Sequence, residues 1–235
     1  ERAQAELERI GVSAFDALDE ARDSEDVEVA LRVRYLLRVL STNWAQEEDP
    51  PEVKIVLKGY GEQLDTERKT RMERLSAYGH LRAQSALCRL ARFETNPALS
   101  KEAALLVMNA APPAEPGARK ALAEMVRLVV GNSRRPAAQW LRQYGQTLDS
   151  PASTLEAWQR TIAAEVQELD LMSPKTNATV VRDLLRWNCD YLRGLRRDAD
   201  AEGAARRLVT TVDGTPAELS ELVGWLMERK YWRLV

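Results

Sequence analysis

The chain has 235 residues, of which 45% are hydrophobic and 30% charged, a balance expected of a soluble globular protein with room for a substantial core. Its 34 Lys and Arg nearly cancel its 36 Asp and Glu, and a net charge of −2 argues against general polyanion binding, which draws on net or patchy positive charge. No run of 18 apolar residues is present, so no membrane-spanning helix is expected; Cys88 and Cys189 are too few for a disulfide scaffold and have no metal-ligand spacing.

Composition favours helix. Arg supplies 27 of the 34 basic residues, and Ala, Leu and Arg are strong helix formers. The β-branched residues form no alternating run, and no Asn-Gly or Gly-Gly turn joins two such runs. In chain order, residues 2–10 read as a helix ended by Gly11. Ser13 opens a second segment with Phe15, Leu18 and Ala21 on one side, and 27–40 follows with Val29, Val33, Leu36, Leu37 and Leu40 at helical spacing. Residues 41–51 form a polar loop ending in Asp49-Pro50-Pro51. Helices are predicted over 52–57, 66–78 (stopped by Gly79) and 81–93, and, after a Thr95-Asn96-Pro97 break, over 100–110.

Residues 111–117, with Pro112, Pro113 and Pro116, are the expected boundary between two parts, 1–111 and 118–235. Helices then cover 119–130 and 136–148. Ser150-Pro151 reads as an N-cap with proline at the first helical position, opening a helix striped by Leu155, Trp158, Ile162, Val166 and Leu169. A long helix over 176–197 and another over 201–212 come next. Thr215-Pro216-Ala217-Glu218 is a capping box, and the helix it opens is expected to run to the end. Consecutive amphipathic helices on tight turns pack as antiparallel hairpins, so the expected fold is all-α: an α-solenoid of stacked antiparallel helical hairpins.

An internal repeat supports stacking. Leu7-x-x-Ile10-Gly11 recurs as Leu75-x-x-Tyr78-Gly79, followed by Phe15-x-x-Leu18 in the first copy and Leu87-x-x-Leu90 in the second. The run from Ala14-Phe15-Asp16-Ala17-Leu18 through Asp23-Ser24-Glu25-Asp26 to Val27-Glu28-Val29-Ala30-Leu31-Arg32 resembles a HEAT-like repeat, whose pattern is an apolar first helix, an acidic turn, then a Val-Arg pair opening the second helix. Ala30 stands where that family usually has an arginine, and 87–106 looks like a looser copy. The resemblance covers roughly the first 110 residues. Ala204-x3-Leu208-x2-Thr211-x4-Pro216 is similar in spacing to the second helix of a tetratricopeptide repeat, which implies a helical-hairpin array in the C-terminal half. The chain opens on Glu1 rather than Met and closes on Leu234-Val235, and reads as a fragment of a longer protein.

No catalytic constellation is found. His80, the one histidine, follows the Gly79 break without a metal-ligand or triad neighbour; Gly59-Tyr60-Gly61 lacks the rest of a phosphate-binding loop. No catalytic residue, cofactor or metal is therefore expected. Trp140, Trp158 and Trp187 lie on stripes with Leu and Ile and are expected in the core, as are Cys88 and Cys189. Trp44, in a polar loop, and Trp232, at the terminus, are candidate partner anchors. In helix 176–197, Arg182, Arg186, Arg193, Arg196 and Arg197 fall together on the side away from the apolar face. Like charges four apart repel, so acids alongside, acids on the next helix or an anionic partner must offset them. Arg182, Arg186, Arg193 and Arg197 join Trp44 and Trp232 as candidate binding residues.

The expected function is a non-catalytic scaffold for protein–protein interaction, with an unidentified protein partner and no membrane insertion. The alternative is a HEAT-like solenoid that holds nucleic acid on the Arg stripe; the near-neutral charge counts against it. The sequence assigns no compartment.

Overall fold

The structure, a computed structural model, describes residues 6–7, 9–10, 14–39, 44–211 and 215–234. Gly11, Ser13, Leu40 and Val212 of the expected segments lie outside the described residues. Among those described, all regular structure is helical and no strand is present. The order is α1 (Phe15–Glu20), α2 (Val27–Val39), α3 (Pro51–Leu57), α4 (Asp65–Tyr78), α5 (Leu81–Phe93), α6 (Pro97–Met108), α7 (Pro116–Val130), α8 (Pro136–Asp149), α9 (Leu155–Asp170), α10 (Ala178–Gly194), α11 (Asp198–Thr210) and α12 (Pro216–Glu228). Consecutive helices pack against each other within α1/α2, α3/α4, α4/α5, α9/α10 and α10/α11, as stacked hairpins of an α-solenoid do.

The punctuation is local chemistry. Five helices start on proline (Pro51, Pro97, Pro116, Pro136, Pro216), whose missing N–H costs nothing at the first helical position. Asn96 caps α6 with its Oδ1 accepting from the N–H groups of Ala98 and Leu99 at 3.0 and 3.3 Å. That cap starts α6 three residues before the expected 100: Asn96-Pro97 is a start rather than a break. His80 Nδ1 accepts from the Ala83 N–H at 3.1 Å and so caps α5, while its Nε2 lies 3.4 Å from Glu52 Oε1. Gly79 closes α4 in the left-handed region, φ 65°.

Three other expectations change. Ser150 makes no side-chain cap; Pro151–Thr154 is a separate 3-10 turn in which the Ser153 and Thr154 hydroxyls donate back to the Ser150 and Pro151 carbonyls. Such local bonds compete with the helical ladder, so α9 begins only at Leu155. The 176–197 helix is shorter, because Arg197 N–H reaches the Leu192 carbonyl at 2.9 Å across a left-handed Arg196, φ 58°. The final helix stops at Glu228 by the same device: Tyr231 N–H bonds Leu226 O at 2.9 Å across left-handed Lys230, and a 3-10 turn, Trp232–Leu234, follows.

The chain forms two compact units, one of residues 1–107 and 124–142, the other of 108–123 and 143–235. In the first, Phe15, Leu18, Val33, Leu36 and Leu37 form an apolar cluster that Phe93 joins edge to face, ring centroids 5.3 Å apart. Ala30 takes a core position and Val29 is exposed, the reverse of the expected stripe. Residues 83–91 of α5 are all buried.

Several buried polar groups in this unit are paired. Glu94, fully buried, accepts from Tyr60 Oη at 3.0 Å, Arg68 Nη1 at 2.7 Å and the Asn96 N–H at 2.9 Å. Arg135 bonds Asp19 at 2.9 Å and the carbonyls of Arg92 and Glu94, with its guanidinium over the Phe15 ring. Arg92 reaches Asp16 at 3.1 Å, and the Ser133 hydroxyl donates to Asp16 at 2.6 Å. These bonds tie α1 to the segments that end α5 and precede α8. Arg89 and Asp49, both buried, pair beside Gln46.

The core of the second unit is aromatic. Trp158 is fully buried, its ring centroid 4.3 Å from that of Trp187, which stacks on Tyr191 at 5.1 Å and meets Tyr144 edge-on at 6.5 Å. Trp158 Nε1 donates to Thr147 Oγ1 at 2.9 Å, and the Tyr191 hydroxyl donates to the Pro151 carbonyl at 2.7 Å, so these two polar tips are satisfied. Of the expected α9 stripe, Trp158 and Ile162 are buried and Leu155, Val166 and Leu169 half-buried.

Candidate functional site

The arginine face of α10 is built by two capped helices. Asn177 caps α10, its Oδ1 accepting from the Val180 N–H at 2.8 Å, and Thr215 caps α12, its Oγ1 accepting from the Glu218 N–H at 3.4 Å. The four-residue spacing of Arg182, Arg186 and Asp190 sets three charges in a row along α10. Each meets an opposite charge on or just after α12. Arg182 Nη1 binds Glu218 Oε1 at 2.6 Å and Arg186 Nη1 binds Glu221 Oε1 at 2.8 Å. Asp190 accepts two bonds from Arg229, each 2.8 Å.

Arg193 continues the row without an acid. Its Nη1 donates to the Arg229 carbonyl at 2.8 Å, and its guanidinium lies 5.6 Å from the centroid of the Tyr231 ring. A cation on the last carbonyls of a helix also complements the helix dipole. Tyr231 stacks on Trp225 at 5.9 Å, and Arg229 sits over the Trp225 ring at 4.6 Å. Arg197 is not on α10; it precedes α11 and binds Asp200 at 2.6 Å. The helical stripe is therefore Arg182, Arg186 and Arg193, because the left-handed Arg196 turns the chain before the last two arginines.

Electrostatics follow the pairing. Glu218 is held below its ordinary value first by the Arg182 hydrogen bond and then by that of Thr215. Arg229 is raised by its bond to Asp190. Burial pushes the Cys189 thiol up to about 12, and Cys88 likewise.

The two candidate tryptophans differ. Trp44 packs on Tyr60, ring centroids 4.9 Å apart, its carbonyl accepts from Arg89 at 3.3 Å, and a Cβ on Gly61 would come within 3.1 Å of its Nε1. Trp232 is 60% exposed. Near it in sequence is a feature the sequence analysis missed: α12 leaves Leu219, Val223 and Met227 exposed while burying Leu222 and Leu226. The signal is present in the sequence, since four-residue spacing of Leu219, Val223 and Met227 repeats twice in α12. The acids on α12 that pair with the Arg stripe were equally visible; their facing position was not.

Among the described residues, no group of three or more His, Cys, Asp or Glu is placed to hold a metal ion, and no helix is long and apolar enough to cross a membrane. Compared with known proteins, the chain matches no family model, no curated protein and no solved structure.

Proposed function

We propose that the chain is a helical-repeat scaffold, HEAT-like over 1–111 and a tetratricopeptide-like array over 118–235, which holds protein partners and performs no chemistry itself. The observation that carries this reading is the exposed line of Leu219, Val223 and Met227 on α12, with exposed Trp232 following it. Contiguous apolar surface exposed to water marks interaction sites, and tryptophan is prominent among interface anchors. The packed neighbouring helices are compatible with a repeat fold. Arg182 and Arg186 already hold glutamates, which leaves little free charge for a phosphate backbone and disfavours nucleic acid as the partner.

The test is capture of proteins from a lysate on the immobilised chain, in parallel with Met227→Glu and Trp232→Ala. A set of proteins retained by the parent and lost from both variants is expected. Identical captured sets would remove the α12 face from the proposal. Tight duplex binding that salt weakens steeply would replace a protein partner with nucleic acid.

A further inference from the structure

Four helices, α2, α6, α10 and α12, start on oxygen caps supplied by Asp26, Asn96, Asn177 and Thr215. The cap of α5 is instead a basic nitrogen: His80 Nδ1 accepts from the Ala83 N–H at 3.1 Å. A ring nitrogen accepts only while it carries no proton, so this bond requires the neutral ring with its proton on Nε2. Histidine is also the side chain whose ordinary charge change falls between about pH 5 and 8.

The second nitrogen is unsatisfied in that state. Nε2 is buried and makes no hydrogen bond, although Glu52 Oε1 on α3 lies 3.4 Å away. α3 packs on α5 as well as on α4, so this carboxylate faces the ring from a separate helix. From α4 the ring meets Tyr78, which lies parallel to it with centroids 6.0 Å apart. Arg82, two residues on, is the nearest cation in sequence.

Neither state of the ring serves both sides. The neutral ring holds the Ala83 N–H but brings no charge to Glu52. The protonated ring attracts Glu52 and the Tyr78 face, but it repels the Ala83 N–H and the positive end of the α5 dipole.

We propose that His80 is a proton-operated switch between α3 and α5: neutral, it caps α5; protonated, it drops that cap and pairs with Glu52. The cap is complete above the imidazole's titration and is lost as pH falls through it, while the Glu52 pair runs the other way. Acid thus loosens the first turn of α5, which leads into the wholly buried residues 83–91, and tightens the hold of the same turn on α3. The switch lies in the first unit and is independent of any partner held by α12.

The experiment is NMR on the whole chain at about pH 5 and about pH 8, the two ends of the histidine range. Two signals are read: amide exchange of Ala83, corrected for its intrinsic pH dependence, and the Nε2–H proton of His80. In the parent, Ala83 should exchange about fivefold faster at the lower pH, the size of one lost helix cap. The Nε2–H signal should sharpen there, because a carboxylate now holds the proton. His80→Asn supplies a cap that takes up no proton, so Ala83 should exchange alike at both pH values. Glu52→Gln should keep the cap at the higher pH and lose the sharp Nε2–H signal at the lower. An Ala83 amide whose exchange is unchanged by pH in the parent, or changes as much in His80→Asn, overturns the switch. An Nε2–H signal equally sharp in Glu52→Gln overturns the pairing with Glu52 and the switch with it.

Discussion

Arg182 on α10 and Glu218 in the first turn of α12 are joined at 2.6 Å, and the same glutamate accepts the hydroxyl of its own cap, Thr215, at 2.8 Å. One carboxylate thus finishes a helix start and ties that helix to its neighbour. The link has a pH dependence of definite sign. Glu218 lies below its ordinary 4.5 in the folded chain, so its contribution is complete above that value and is lost as pH falls through the lower, folded one. Denaturant unfolding at decreasing pH should show stability declining in the acid range, with a shallower decline for Glu218→Gln. Equal slopes for parent and variant would mean that the pair does not form in solution.

Trp158 and Arg193 should differ sharply on truncation. Trp158→Ala removes a fully buried indole packed at a tilt on Trp187 and should cost about 3–5 kcal/mol. Arg193→Ala removes an exposed side chain bonded to one carbonyl and should cost about 1 kcal/mol or less. Chemical denaturation of both variants decides it; a Trp158 variant as stable as the parent would contradict the buried aromatic cluster.

Glu94 holds a junction in the first unit. Glu94→Ala strands the Tyr60 hydroxyl in the core and deprives Arg68 of its buried partner, a loss of about 3–5 kcal/mol. Adding Tyr60→Phe to that variant should then cost much less than it costs in the parent, because the shared bond is already gone. Strict additivity in the double-mutant cycle would refute the coupling.

Both thiols are expected to be inert in the native chain. Burial raises Cys88 and Cys189 to about 12, which leaves almost no thiolate at neutral pH. A thiol reagent should label neither before unfolding and both after it. Rapid native labelling would show that one of the sites opens locally.

Met172 closes α9 in the left-handed region, φ 52°, with its side chain 90% exposed. Met172→Gly removes strain and no packing, so stability should rise by about 0.5–1 kcal/mol. A fall in the melting temperature would indicate that the exposed methionine makes a contact in solution.

Much of the fold was legible because its signals are local. Proline at a first helical turn, Gly79 after α4 and Thr215-Pro216 before α12 act through their own backbone, whatever lies around them. Trp140, Trp158 and Trp187 could be assigned to the core because aliphatic residues repeat on their side of each helix. The ends made at Arg196 and Lys230 differ from the expected ones. Arg196 and Lys230 close helices only because a bond from the residue beyond reaches back to Leu192 and Leu226, and nothing in those side chains announces it.

What the sequence determined by itself was the helical class, most starts and stops, and the existence of an arginine stripe that some partner had to offset. Only the tertiary structure decided which partner. Glu218 and Glu221 lie more than thirty residues beyond the arginines they bind, and periodicity along one helix says nothing about which face of another it will meet. The same limit applies to the exposed apolar residues of α2 and α12. Sequence shows that Val27, Leu31, Leu219 and Val223 are apolar; burial depends on what packs beside them, and in this fold those sides are left open to water.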